Sequence, residues 1–254
     1  MSSSSEQWAG RAVVSLLGGF RLSVDGTEVP LRAVQQRVVA LVALRGPISR
    51  SRLAGTLWPD VVESQALARL RTAIWRVNRA TPTVLATGVG SLALNEWVDV
   101  DVQRLAEAAR TVLRGDLSAS GQGLLEEPTG ELLPDWDDEW LADERERLHQ
   151  MRLHALQALA EGLAETGQFG LAIDAALTVL HSDPIRETAY RTLMRIHRAE
   201  GNLGEVRRTY HRCAEVLDRE LGVIPQRETA LLLAGPLLPA PSAGRAAKPA
   251  FKRI

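Results

Sequence analysis

Among 254 residues there is a single cysteine, Cys213. One thiol cannot build an internal disulfide framework, so a packed core must hold the fold and a cytoplasmic location is the default expectation. Lysine is almost missing. The only two are Lys248 and Lys252, so basic chemistry falls to arginine. Aromatics make up 4% of the chain, which leaves the core to Leu, Val and Ala. No apolar run reaches membrane-spanning length, so no membrane partner is expected. The serine-rich start lacks a basic-then-apolar secretory pattern. No Gly-x-x-x-x-Gly-Lys-Ser/Thr loop is present to cradle a nucleotide. His149, His154, His181, His197 and His211 show no metal-ligand spacing. Asp135, Asp137, Asp138 and Glu139 read as a solvated helix start, where acids are electrostatically favourable. The sequence therefore offers no catalytic residue, no metal site and no cofactor, and no enzyme is expected.

What is present is a strong charge asymmetry under a net charge of −1. Residues 1–98 carry 11 Arg against 6 acids, and residues 99–235 carry 15 Arg against 25 acids. Residues 236–254 hold Arg245, Lys248, Lys252 and Arg253 with no acid. Such a split predicts modules with different partners, the first able to meet nucleic acid and the second repelled by it. The expected organisation is a flexible N-terminus at 1–11, a first domain at 12–98, a second at 99–235 and a disordered basic tail at 236–254.

Residues 12–31 read as β-structure. Phe20, Leu22 and Val24 alternate with Arg21 and Ser23, and Asp25-Gly26 supplies a hairpin turn. Residues 33–44 read as a helix with Val34, Val38, Leu41 and Val42 on one stripe, ended by Gly46-Pro47. Ser49 or Ser51 can cap the next helix, which carries Leu53, Leu57 and Trp58. Residues 64–79 follow. There Leu67, Leu70, Ile74 and Val77 form a stripe, while Thr72, Arg69, Arg76 and Arg79 fall on the other side. No acid lies between Ser64 and Arg79. Exposed helix faces ordinarily mix charge signs, so this stretch fits either an arginine-rich solvated face or a reader of an anionic partner such as DNA. Residues 84–94 then read as a β-hairpin with the tip Gly88-Val89-Gly90-Ser91. Strands, two helices, a basic helix and a hairpin make the element order of a winged helix-turn-helix, in which the third helix enters the major groove. That order favours the DNA reading.

From residue 99 onward the chain reads as nearly all helix. A Gly- and Pro-broken acidic stretch at 114–139 precedes a long helix over 138–165. Helix, Gly turn and helix recur at an offset of 34, from Gly167 to Gly201, which is the tetratricopeptide period. The expected fold class is mainly α with a small β component: a winged helix-turn-helix domain, then an all-α tetratricopeptide-like domain. Cys213 reads as a small buried apolar residue. Trp58, Trp136 and Trp140 read as core anchors.

Several motifs resemble the Streptomyces antibiotic regulatory protein type of transcriptional activator. That type joins an OmpR-type winged helix to a bacterial transcriptional activation domain. The residues carrying the resemblance are Leu17-Gly18-Gly19-Phe20-Arg21-Leu22, Gln36-Arg37, Arg52-Leu53-Ala54 with Leu57-Trp58, and Leu70-Arg71-Thr72 with Ile74, Arg76-Val77 and Arg79. Gly130-Glu131-Leu132-Leu133-Pro134, Trp136, Glu139-Trp140, residues 144–148 and 152–156, and Glu220-Leu221-Gly222-Val223 with Pro225 extend it. The resemblance covers about residues 12–234. It implies an activator of an antibiotic or other secondary-metabolite biosynthetic gene cluster. Its partners would be double-stranded DNA at promoter direct repeats and RNA polymerase, with a homo-oligomer assembling on the DNA. Arg69, Thr72, Arg76 and Arg79 would face the major groove, with Arg71 and Trp75 at its flank. Apart from the resemblance, Arg37 and backbone amides are expected to position the helix on phosphates. Two departures stand out: Gln35 replaces a residue often basic in the family, and the tip 88–91 lacks the usual arginine and aromatic. The neutral tip keeps a competing reading in play, a protein-interaction scaffold whose winged helix no longer binds DNA.

Overall fold

The computed structural model describes residues 11–82, 84–117, 124 and 130–234. The expected flexible residues 1–10 and the basic tail lie outside these, as does much of the acidic stretch after residue 117. The chain forms two compact units: residues 1–110 with 122–152, and residues 111–121 with 153–254.

The first unit opens with a sheet in the order β3 (Thr27–Glu28), β2 (Arg21–Val24), β1 (Ala12–Ser15), β7 (Val98–Val100). The β2–β3 hairpin turns at Asp25 and Gly26, with φ of 51° and 76°, the left-handed pair that a two-residue turn requires. Period-2 alternation buries Ala12, Val14 and Leu22. The expected β-structure ended at residue 31, and β7 was not anticipated. It pairs in parallel with β1, placing Val98 beside Ala12 and Val100 beside Val14. A three-residue strand inside a charged segment carries too little periodicity to be read from sequence.

Three helices follow: α1 (Ala33–Arg45), α2 (Arg50–Leu57) and α3 (Glu63–Ala80). Ser49 caps α2 by accepting from the Arg52 N–H at 3.3 Å. Trp58 lies just past that helix, in non-helical geometry that ends it. β5 (Leu85–Thr87) and β6 (Ser91–Leu94) form the hairpin, and β6 also pairs with β4 (Ile48–Ser49). Val38, Val39, Leu41, Leu53, Leu70, Val77 and Leu92 make the core between them. This is a winged helix-turn-helix.

After β7 the same unit continues through residue 110 and again over residues 122–152. α4 (Asp101–Leu113) begins with a carboxylate that is 2% exposed and accepts from the N–H groups of Leu16 and Leu17 at 2.9–3.0 Å. Residues 130–133 then clip onto the β1–β2 connection. Gly18 N donates to Glu131 O at 2.8 Å, and Leu133 N to Leu16 O at 2.9 Å. Gly130 has to be glycine here, because a Cβ would sit 2.7 Å from Gly18 N. Arg145 donates to the carbonyls of Leu132 at 2.8 Å and Trp136 at 2.9 Å. Trp136 stacks on Phe20 at 6.2 Å. The Gly-Glu-Leu-Leu-Pro motif is therefore a physical part of the first unit.

The second unit is a stack of helical hairpins. It takes α5 (Glu139–Glu165) from Leu153 onward, then α6 (Phe169–Ser182), α7 (Glu187–Glu200), α8 (Leu203–Leu221) and α9 (Arg227–Ala234). The repeat turns fall at Gly167 and Gly201, with φ of 77° and 88°, a conformation that L side chains rarely adopt. Leu156, Leu159, Ala175, Val179, Tyr190, Met194 and Cys213 fill the interior. Polar rungs join successive hairpins: Thr192 donates to Glu161 at 2.9 Å, and Glu187 accepts from Gln226 N at 2.7 Å. The offset of 34 thus corresponds to stacked tetratricopeptide-like pairs. Among the described residues, no helix is long and apolar enough to cross a membrane.

Candidate nucleic-acid interface

Helix α3 is built from its buried side outward. Ala66, Leu70, Ala73, Ile74 and Val77 face the core. Leu67, expected in that stripe, is only half-buried. Ala66 and Ala73 take its place because their small side chains allow close helix packing. At 100° per residue this rotates the outward direction by roughly 35° from the expected one. Thr72, Trp75 and Arg79 now stand at the centre of the outer face. Arg69 and Arg76 lie on its flank toward α1, and Arg71 on the other flank.

All six of these residues are exposed. The Thr72 hydroxyl donates to the Ala68 carbonyl at 3.1 Å, which fixes its side chain against the helix. Trp75 is 58% exposed, unusual for so large an apolar side chain. The Arg79 guanidinium lies over its ring at 5.4 Å. Among the described residues, none of Arg69, Arg71, Arg76 and Arg79 pairs with a carboxylate. Elsewhere in the same unit arginines do pair: Arg45 with Glu144 at 3.1 Å, Arg104 with Asp99 at 2.6 Å, and Arg110 with Glu107 at 2.7 Å. Among the described residues the cations of α3 are thus left without a carboxylate partner.

Arg37 is not part of this face. Its Nε donates to both oxygens of Asp138 at 2.8 and 2.9 Å, and its guanidinium sits 5.0 Å from the Trp136 ring centre. A guanidinium held this way is an internal tie, so the expected phosphate role is not retained for it. Asp138, expected on a solvated helix start, is a partner in that tie, with its side chain 17% exposed. Of the three tryptophans expected as core anchors, Trp136 is buried, while Trp58 and Trp140 are half-buried.

Between the start of α1 and the flank of α3 runs a groove of about 500 Å³, lined by Arg32, Val34, Gln35, Trp58, Arg69, Thr72, Ala73 and Arg76. Arg32 did not figure in the sequence-based expectation. Its only sequence signal is a cation directly before an apolar helix. Gln35, noted as a departure, is 8% exposed, and its side-chain oxygen accepts from Arg32 N at 2.7 Å. A basic side chain there could not accept that bond. The hairpin tip is neutral, and Val89 at its apex is fully exposed.

A winged helix-turn-helix joined to stacked helical hairpins is the architecture of the Streptomyces antibiotic regulatory protein type of transcriptional regulator. The model of the bacterial transcriptional activator domain matches residues 98–234, more than half of the chain, and the protein belongs to that family. It is 25% identical over 244 residues to the transcriptional regulatory protein MoaR1 of Mycobacterium bovis, covering 85% of this chain and 76% of that relative. MoaR1 of Mycobacterium tuberculosis matches with the same identity and coverage. The fold is similar to that of Mycobacterium tuberculosis EmbR in complex with a low affinity phosphopeptide, with a TM-score of 0.69 at 20% identity. That match covers 89% of this chain and 64% of EmbR's. The protein is a transcription regulator.

Proposed function

We propose that this regulator binds double-stranded DNA sequence-specifically through the outer face of α3 and activates a secondary-metabolite biosynthetic gene cluster. The observation that supports it most is the set of four exposed α3 arginines without a carboxylate partner among the described residues. Such a face is costly in self-repulsion unless an anion meets it. Arg79, Thr72 and Trp75 are aimed most directly outward, so they are the proposed base-edge contacts. A bidentate guanidinium–guanine pair discriminates by about 1–3 kcal/mol. Arg69, Arg71 and Arg76 flank them. On this reading the protein assembles as a homo-oligomer on promoter direct repeats, and its acidic helical unit engages RNA polymerase.

The test is selection of genomic fragments by the purified full chain, followed by footprinting and titration of the selected site. Arg79→Ala is expected to lower the preference for that site over an arbitrary duplex by about 5- to 150-fold. A reporter with and without the regulator separates activation from repression. The neutral hairpin tip favours one competing reading, a scaffold with a non-binding winged helix. Failure to retain any DNA at low salt would establish that reading and end this one.

A further inference from the structure

The groove between α1 and α3 has a composition that the α3 face alone does not explain. Three cations converge on it from two elements: Arg32 from the start of α1, and Arg69 and Arg76 from one flank of α3. Among the described residues no carboxylate lines it, and none pairs with any of the three. Its remaining wall is different in kind. Val34, 45% exposed, stands with Trp58 and the small Ala73 as an apolar surface. Cations beside an apolar shelf match a phosphodiester with its deoxyribose: the guanidiniums take the phosphate oxygens and the shelf takes the sugar carbons.

We propose that this groove seats the sugar–phosphate backbone of one DNA strand at the edge of the major groove, with Arg32 as a positioning residue on α1. The proposal rests on α3 binding DNA and divides the labour on that face. Arg32, Arg69 and Arg76 hold the backbone and set the depth of the helix, while Thr72, Trp75 and Arg79 meet base edges. Gln35 builds the seat. By accepting from Arg32 N it fixes the chain entering α1, and it does so without placing a negative charge in the groove. The phosphate-positioning role expected of α1 therefore moves from Arg37 to Arg32.

The experiment titrates full-length protein against two labelled duplexes, the footprinted site and an arbitrary sequence, over a range of salt. Arg32→Ala keeps the backbone N–H that Gln35 accepts from, so its melting temperature should match that of the wild type. Its affinity should fall by the same factor on both duplexes, about 3- to 10-fold, and its slope of log K against log salt should become shallower by about 0.9. Gln35→Glu retains an acceptor for Arg32 N but puts a carboxylate in the seat, and it should weaken both duplexes equally. If Arg32→Ala keeps the wild-type affinity and slope, the groove is not a backbone seat, even though DNA binding stands. A change in the ratio between the duplexes at constant slope overturns the proposal as well, because Arg32 would then be reading bases. If the wild type binds neither duplex at low salt, DNA binding itself fails and the seat fails with it.

Discussion

Replacing Arg37 with alanine separates two roles that the sequence could not tell apart. The Arg37 side chain is 34% exposed and that of Asp138 is 17% exposed, so the pair is partly shielded from water. Removing the guanidinium takes away a charge-assisted hydrogen bond, worth about 1.5–3 kcal/mol when well formed. It also removes a cation–π contact with Trp136, worth about 0.5–1 kcal/mol. Solvent screening discounts the sum, because exposed pairs contribute only about 0–1 kcal/mol. A net loss of about 2 kcal/mol is the expected result. For a chain of this size that lowers the melting temperature by about 4–8 °C.

The same variant should leave DNA affinity and its salt slope unchanged, since Arg37 is turned to Asp138 rather than to α3. Thermal unfolding followed by circular dichroism and DNA titration in a salt series measure the two effects on one preparation. A double-mutant cycle with Asp138→Ala isolates the pair, and the double variant should be little worse than either single one. The reasoning is refuted if Arg37→Ala melts with the wild type while its salt slope falls by about 0.9. That outcome would return Arg37 to the phosphate backbone.

Asp101→Ala leaves the buried N–H groups of Leu16 and Leu17 without an acceptor, and should cost about 2–4 kcal/mol at neutral pH by chemical denaturation. Burial raises the Asp101 pKa above its ordinary 3.8, outweighing the backbone N–H groups that lower it. A raised carboxyl pKa contributes stability that is full below the unfolded value and declines as pH rises through the folded one. The gap between wild type and Asp101→Ala should therefore be widest near pH 4 and narrow toward neutrality; a gap that widens with pH would contradict the assigned shift. Cys213 is fully buried and its thiol is pushed up to about 11, first by desolvation and then by Glu187. Maleimide at pH 8 should leave the native protein unlabelled and modify it fully in denaturant, and rapid native labelling would show that the packing around α8 is looser than described.

The sequence exposed those elements whose signal repeats within a few residues. Helix α3 has four turns of stripe, and the repeat turns at Gly167 and Gly201 recur at an offset of 34. The winged helix-turn-helix order followed from such segments. What was not legible depends on residues far apart in the chain. The β1–β7 pairing joins residues 86 positions apart, Ala12 to Val98. Asp101 reads as an ordinary acid until Leu16 and Leu17 are beside it. Arg37 sits in an apolar helix with no local acid, and its partner is Asp138, 101 residues on. The α3 face was legible as a basic surface, but its rotation was not. Choosing between Leu67 and Ala66 as the buried residue depends on how closely the neighbouring helices approach, and amphipathic spacing accommodates both.

The same long-range contacts bear on where the winged-helix unit ends. Charge divides the chain near residue 98, and the family match begins at that residue. A fragment of residues 11–98 would nevertheless lose most of β7, Asp101 and the clip at 130–136. Four backbone hydrogen bonds go with them: those of Leu16 N and Leu17 N to Asp101, Gly18 N to Glu131, and Leu133 N to Leu16. At about 1 kcal/mol each they amount to about 4 kcal/mol, before the burial of Leu132, Leu133 and Trp136 is counted. Whole domains are stable by only about 5–15 kcal/mol. Residues 11–98 alone should therefore be marginally folded and readily cut by protease, whereas residues 11–152 should melt cooperatively and bind duplex DNA. Equal melting temperatures for the two fragments would mean that the activator-domain motif adds nothing to the winged helix. A stable long fragment beside an unstable short one would show that the start of the activator domain is a structural part of the winged-helix unit.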